Sequence, residues 1–339
     1  MKVVTYLHRH NLGTEKRLGI MVGETTILDP NFVIACEFER EGRYNPRERA
    51  NDYCPSSLHQ LLRLKERPLE ILHEAHGLML FMEKCGIFEM FDGTKYIIEL
   101  DNKSISLGAP LDKIETYRDF FAHEKHVAVG FTKRNEPIPA AWYELPVYYK
   151  GATAGFIGPG HEILWPNYTD VLDYELELGM VIGLDGKNIK ARDAYKHIFG
   201  FTILNDISAR DIQKKEMSVR LGPAKAKDFC SIIGPVITTI DEFETSEPDL
   251  LMTAKINGAL WSSGQSGDSH FTWAQMIEHV SREEWILAGD LFGSGTVGTG
   301  CGLELDKWIK PGDIIELEIE NIGKLINKVG KKGVSHGKL

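Results

Sequence analysis

In Asp173-Tyr174-Glu175-Leu176-Glu177-Leu178 three carboxylates alternate with bulkier side chains. On an extended strand Asp173, Glu175 and Glu177 would share one face and the apolar residues the other. Carboxylates so placed can hold one hard divalent cation through oxygen. The same spacing recurs in Glu316-Leu317-Glu318-Ile319-Glu320 after a Pro311-Gly312-Asp313 turn, where a solvated antiparallel strand is the better reading. Spacing alone does not separate the two. Another carboxylate, Asp206, ends the run Phe201-Thr202-Ile203-Leu204-Asn205, at a strand end that could present a functional group or simply begin a turn. Asp119 opens a polar stretch through His126 that reads as a helix. Two helical turns separate that pair, so both side chains would lie on one face. A histidine beside a carboxylate-bound cation is a candidate base for water, with His123 as its rival and a plain core or surface histidine as the alternative.

The elements that must position these residues follow from periodicity. From Tyr143 onward the apolar pattern has a period of 2, in runs at Val171 to Ile182, Phe201 to Leu204, Ser231 to Ile240, Leu251 to Ile256 and Ile314 to Ile319. One helix is expected after Ser208 and one after Thr272, each with a capping-box partner three residues on, Asp211 and Gln275. The first hundred residues read as a small β-rich module with strands at Val3 to Leu7, Leu18 to Val22 and Thr25 to Leu28. Helices follow, one capped by Ser57 through Leu64 and one from Pro68 to Lys84 before Gly86. A Gly/Pro-rich turn near Ser104 to Pro110 marks a boundary, giving a domain over 1–110, a second over 111–332 and a tail at 333–339. The Lys-rich end from Lys324 is expected to fray.

Composition excludes other classes. The 339 residues carry 39 Lys+Arg against 49 Asp+Glu, a net charge of -10, which opposes a phosphate-backbone partner. No apolar run approaches the roughly 20 residues of a membrane helix, and the N-terminus lacks a signal-peptide apolar region, so a cytoplasmic protein is expected. Cys36, Cys54, Cys85, Cys230 and Cys301 are odd in number and contain no Cys-x-x-Cys pair, which suggests neither a disulfide framework nor a thiolate zinc site. Gly293-Ser294-Gly295-Thr296-Val297-Gly298-Thr299-Gly300 lacks the Gly-Lys-Ser/Thr ending of a phosphate loop and reads as backbone approaching something closely. No Gly-x-Ser-x-Gly elbow supports serine chemistry.

Several segments in order resemble the fumarylacetoacetate hydrolase family: Tyr117-Arg118-Asp119-Phe120 through His126, Glu175-Leu176-Glu177, Asn205-Asp206-Ile207-Ser208-Ala209-Arg210-Asp211-Ile212-Gln213, Leu221-Gly222-Pro223 through Lys227, and Ser294-Gly295-Thr296. The resemblance covers roughly Ile114 to Lys324. It implies a mainly β fold with some α (α+β), a C-terminal mixed β-roll and a small N-terminal β-rich domain. It implies a divalent cation (Mg, Mn or Ca) held by Asp119, Glu175, Glu177 and Asp206, with Lys227 and Ser231 around an auxiliary position. His126 matches the water-activating base, and Glu304 falls where the acid that orients that histidine is expected. Tyr149, Arg210, Gln213, Lys227 and Thr296 match positions that bind the substrate's carboxylate and keto oxygens.

The implied activity is hydrolysis of a carbon-carbon bond in a β-diketo acid, as in aromatic catabolism, by a homodimer. His126 would activate water, and Lys227 and Gln213 would stabilise the oxyanion and the leaving carbanion. Met217 stands where a substrate-contacting Tyr is expected and Arg134 is displaced from the matching Arg, which opens smaller acylpyruvates as substrates. The alternative is a 2-oxo acid decarboxylase, hydratase or isomerase on the same metal platform, and a third class is a metal-binding protein without turnover.

Overall fold

A hairpin of two nine-residue strands, Lys2–His10 and Gly13–Met21, starts the chain, each strand with one buried half and one exposed half. A computed structural model describes residues 1–64 and 67–333, divided into two compact units between Lys113 and Ile114. In the first unit Thr26–Leu28 and Ile97–Glu99 extend the sheet on one side of the hairpin, and Ile105–Leu107 pairs with Lys2–His10.

Four helices accompany that sheet. Helix α1 (Pro30–Arg40) starts where the Asp29 carboxylate accepts the Phe32 N–H at 2.9 Å and Pro30 fills the first turn. Neither it nor helix α2 (Pro46–Tyr53) is among the helices expected above. Helix α3 (Leu58–Leu64) is capped by Ser57, whose hydroxyl accepts the Gln60 N–H at 3.1 Å. Helix α4 (Pro68–Lys84) buries Ile71, Leu72, Ala75, Met79 and Met82 on one face and ends before Gly86, which takes φ +72°.

The second unit holds two larger sheets. In the first, the strands run in the order Ser231–Thr239, Ile198–Asp206, Leu176–Ile182, Leu291–Gly293, Tyr117–Phe120, Tyr148–Gly151. All neighbours in it are antiparallel except Leu291–Gly293 with Tyr117–Phe120. Leu176–Ile182 and Ile198–Asp206 are buried at every position, which makes them the core of the unit. The second sheet has the order Ala259–Gln265, Leu251–Ile256, Ile314–Ile319, Gly323–Lys332, Glu162–Trp165. Here Glu316 and Glu318 meet Lys255 and Lys324 on a partly exposed face, so the second Glu-x-Glu is a solvated strand. Among the described residues no helix is long and apolar enough to cross a membrane.

Three expectations need correction. Asp119 lies in the strand Tyr117–Phe120, and helix α5 (Glu124–Lys133) starts only after the turn at 121–123, so Asp119 and His126 do not share a helix face. Helix α6 (Arg210–Ser218) is capped at Ala209 without a side-chain bond, because the Ser208 hydroxyl donates to the Asp206 carbonyl instead, whereas α7 (Trp273–Ser281) has the expected capping box of Thr272 and Gln275. The chain does not fray at Lys324: Gly323–Lys332 is an interior strand of the second sheet, with Leu325, Asn327 and Val329 inward and lysines outward. The rest of the expected tail, 334–339, lies outside the described residues.

Candidate metal centre and active site

Strand register gathers the carboxylates. Gly293 stands opposite both Asp119 and Gly179, so Asp119 and Glu177 come from strands on either side of it. Its missing side chain is the reason they can meet, since a Cβ there would lie 2.3 Å from Asp119 Oδ1 and 2.9 Å from Glu177 Oε2. Asp206 ends its strand opposite Ser231, and the Glu175 N–H is held by the Asn205 side-chain carbonyl at 3.1 Å. One carboxylate oxygen from each of Asp119, Glu175, Glu177 and Asp206 falls within 4.8 Å of the others, and all four residues are buried.

The four carboxylates are not equivalent. Asp206 accepts from Lys227 Nζ at 2.5 Å, the Tyr149 hydroxyl at 2.6 Å and the Ser231 hydroxyl at 3.1 Å. Glu175 accepts from Lys227 Nζ at 2.6 Å and Arg210 Nη2 at 2.8 Å. Burial alone would raise the Glu175 carboxyl, but the Lys227 and Arg210 cations beside it hold it well below its ordinary range. Asp119 and Glu177 form no ion pair among the described residues, and Lys227 offsets the rise at Asp119 only in part. Burial and neighbouring carboxylates, Asp206 for Asp119 and Asp119 for Glu177, push both far above the usual range. Asp119 Oδ1 and Glu177 Oε2 are buried with no hydrogen-bond partner among the described residues. Two orphaned carboxylate oxygens in an all-oxygen cluster suit a hard divalent cation, which would balance the carboxylate charge that Lys227 and Arg210 leave uncompensated.

Asp119 and Glu177 must lose protons before they can ligate, so cation binding releases protons. The sign follows: a carboxyl raised in the cation-free fold is destabilising once ionised, and a cation offsets that more fully as pH rises. The affinity for Mg2+ or Mn2+, and the melting-temperature gain it produces, should therefore grow as pH rises. Calorimetry in two buffers of different ionisation enthalpy measures the proton release, and a pH-independent affinity would refute the unequal assignment.

Beside the cluster lies a histidine-carboxylate pair. His126 Nδ1 is 2.8 Å from Glu304 Oε1, and the second Glu304 oxygen accepts the Thr299 N–H at 2.9 Å. The carboxylate is an acceptor, so the proton between them belongs to Nδ1, and in the neutral imidazole Nε2 keeps the lone pair. Phe121 holds the imidazole edge-on at 5.4 Å between centroids. Glu304 is on the short helix α8 (Gly302–Leu305), and Cys301 before it forms a bridge with Glu175 that joins the pair to the acidic cluster. His123, the rival base, is buried, and burial lowers its pKa to about 4. Neither of its ring nitrogens has a partner.

Asp173, which the spacing grouped with Glu175 and Glu177, points elsewhere. Its carboxylate accepts the N–H groups of Gly302 and Leu303 at 2.7 and 2.9 Å and Arg210 Nε at 2.8 Å. It thereby fixes α8 and Arg210 together. Asp173→Asn would drop at least one of these bonds; we expect kcat to fall about 10–100-fold with cation affinity nearly unchanged, as for other groups that orient a site from behind. Steady-state kinetics beside calorimetry checks this. The sequence carried no signal for this role, because α8 lies far along the chain.

The expected substrate contacts divide into two kinds. Arg210 gives Nε to Asp173, Nη1 to Gln213 and Nη2 to Glu175, and the Tyr149 hydroxyl is given to Asp206, so both brace the site. Lys227 keeps one of its three N–H donors beyond Glu175 and Asp206. The Gln213 amide oxygen is committed to Arg210, leaving its NH2 to donate outward. The Thr296 hydroxyl lies 3.4 Å from Glu177 Oε1. Met217 and Arg134 are exposed on α6 and at the end of α5, where Arg134 pairs with Glu136.

The C-terminal model of fumarylacetoacetate (FAA) hydrolase matches residues 115–330. The chain belongs to the fumarylacetoacetate hydrolase family. An oxaloacetate tautomerase of Bacillus subtilis is 38% identical over 194 residues, 57% of this chain and 61% of that protein. A mitochondrial oxaloacetate tautomerase of Homo sapiens is 32% identical over 214 residues, 61% of this chain and 66% of that protein. The chain thus matches less than two thirds of the length of these relatives. The fumarylacetoacetate hydrolase of Exiguobacterium antarcticum shares the fold at a TM-score of 0.65 and 24% identity, covering 97% of this chain and 99% of its own. A probable 2-hydroxyhepta-2,4-diene-1,7-dioate isomerase of Mycobacterium abscessus gives the same score at 22% identity, covering 98% and 100%. The family is one of enzymes acting on small molecules, and solved structures with this fold include a hydrolase and an isomerase by name.

Proposed function

We propose that this protein is a cation-dependent enzyme for a short 2-oxo dicarboxylic acid of the oxaloacetate type, and that its reaction is proton transfer at the carbon beside the keto group. The observation that carries this reading is the His126–Glu304 pair set against a cluster in which two carboxylate oxygens have no partner among the described residues. A cation held by Asp119, Glu175, Glu177 and Asp206 would supply Lewis acidity towards a chelating 2-oxo carboxylate.

The chain's own groups do the rest. Glu304 holds the Nδ1–H tautomer, so His126 Nε2 accepts the proton from the carbon, the enolate oxygen takes up a proton from solvent to give the enol, and the imidazolium gives its own proton back to solvent; the reverse steps restore the keto form. The free Lys227 N–H and the Gln213 NH2 donate to the oxygen on which enolate charge develops, in a buried setting where such bonds count for more than in water. The names of the 38% and 32% identical relatives favour interconversion of enol and keto forms over bond cleavage.

A second reading, hydrolysis of an acylpyruvate, uses the same groups: His126 takes a proton from water, and the water oxygen attacks the distal carbonyl. The deciding experiment offers the cation-loaded protein enol oxaloacetate and a set of acylpyruvates, following enol absorbance and identifying products by mass. Enol loss without new masses supports the tautomerase. Paired acids from an acylpyruvate support the hydrolase, and pyruvate with carbon dioxide supports a decarboxylase. No change with any substrate refutes both readings.

A further inference from the structure

The acidic cluster is not the sole set of ligating side chains in the second unit. His126 Nδ1, Cys301 Sγ and Glu304 Oε1 also lie within 4.8 Å of one another. Their separations are 2.8 Å for nitrogen to oxygen, 3.6 Å for sulfur to oxygen and 3.9 Å for sulfur to nitrogen. A tetrahedral ion with a metal–sulfur distance of about 2.3 Å and metal–nitrogen or –oxygen distances of about 2.0–2.2 Å spaces its ligands roughly 3.3–3.6 Å apart. Each pair needs a shift of well under ~1 Å to reach that spacing.

The two ligand sets differ in kind. Four carboxylates favour hard cations such as Mg2+, whereas one imidazole, one thiol and one carboxylate favour Zn2+ and its relatives. Three protein ligands leave a fourth position for water. Cys301 is fully buried, and His126, with 8% of its surface accessible, is the side from which an ion would enter. The Thr299 N–H that holds the other oxygen of Glu304 orients the carboxylate without occupying the ligating atom.

We infer that His126, Cys301 and Glu304 form a second, inhibitory site for a thiophilic divalent cation of the zinc type. The proton count is simple. The thiol releases its proton to solvent and the sulfur becomes the thiolate ligand. The imidazole keeps its one proton, which moves from Nδ1 to Nε2 as Nδ1 takes the ion. Nε2 then has no lone pair, so it cannot accept a proton from substrate. This last consequence rests on the proton-accepting role proposed for His126; the ligation itself does not. Excess Mg2+ would displace zinc from the acidic cluster, but would not relieve inhibition at a sulfur-containing site.

Cadmium reports the ligation directly, through the ultraviolet band of its thiolate complex. The full chain, saturated with Mg2+, should show one band-forming Cd2+ equivalent. Cys85→Ser, which removes the exposed cysteine, should keep it, and Cys301→Ser should abolish it. His126→Ala should weaken Cd2+ by about tenfold or more, a second readout should Cys301→Ser fold poorly. Zn2+ should inhibit the wild type under excess Mg2+ and need at least about tenfold higher concentration against Cys301→Ser. A missing band, or one that survives Cys301→Ser, overturns the site. A band that depends on Cys301 with undiminished turnover upholds the ligation and overturns the role of His126 as base.

Discussion

His126→Ala is expected to lose about 10²–10⁴ in kcat while binding its hard cation as tightly as the wild type. The magnitude is what a positioned general base contributes, and the separation of effects follows from geometry. His126 bonds to Glu304, and no carboxylate of the acidic cluster relies on it for a hydrogen bond. Losing the imidazole therefore removes the proton acceptor and leaves the ligands placed by Gly293, Asn205 and Lys227. Glu304→Gln should fall in the same direction by less. An amide can turn its NH2 towards Nδ1 and stabilise the wrong tautomer, yet a fraction of His126 would still present a free Nε2. Calorimetric titration with Mn2+ beside steady-state kinetics decides the matter. Full turnover in His126→Ala would place the base elsewhere, with buried, unpartnered His123 the first residue to test.

The parts of this site that could be read from the sequence are those whose geometry is local. Glu175 and Glu177 alternate on one chain segment, and Asp206 sits in a run with Ser208 and Arg210, so a few residues of context describe their surroundings. Spacing pairs Asp119 with His126 on the wrong ground of a shared helix face, and Glu304 comes from family resemblance alone. Asp119 was assigned to a helix because the strand that carries it has only four residues, and the turn before α5 contains no glycine or proline to announce it. The strand Gly323–Lys332 was hidden by composition. Its lysines, at 324, 328, 331 and 332, stand outward, and their charge masked the inward Leu325, Asn327 and Val329. Helix α1 did carry its signal in Asp29-Pro30, which is a cap and a first-turn proline.

What no local pattern could show is the set of ties between distant segments. Asp173 faces away from its neighbours in the alternating run because two N–H groups of α8, 129 and 130 residues on, take its oxygens. Gly302 makes that approach possible, since a Cβ there would lie 2.6 Å from Asp173 Oδ1. Cys301 reaches His126 across a separation of 175 residues. These contacts depend on sheet order and register, which periodicity leaves undetermined.

Glu177→Gln should raise the stability of the cation-free protein and lower cation affinity by more than about 100-fold, with turnover lost in proportion. The two halves have one cause. Glu177 is buried among carboxylates with an oxygen that nothing in the fold satisfies, and its pKa is driven far up by burial and by Asp119. The native fold holds it only by keeping a proton on it or by giving it a cation. An amide of the same shape removes the charge that was costly and the ligand that was useful, as expected where a site is assembled at the expense of stability. Each kcal/mol so recovered should raise the melting temperature by about 2–4 °C for a unit of this size. Glu175→Gln should do the reverse to stability, because it leaves the buried Lys227 and Arg210 each short of an anionic acceptor, at a cost of about 3–5 kcal/mol. Melting curves of both variants in chelator, then in Mg2+, separate a ligand that the fold tolerates from one that it uses. If Glu177→Gln melted lower than the wild type in chelator, Glu177 would be a structural acid, and the cation would have to be sought without it.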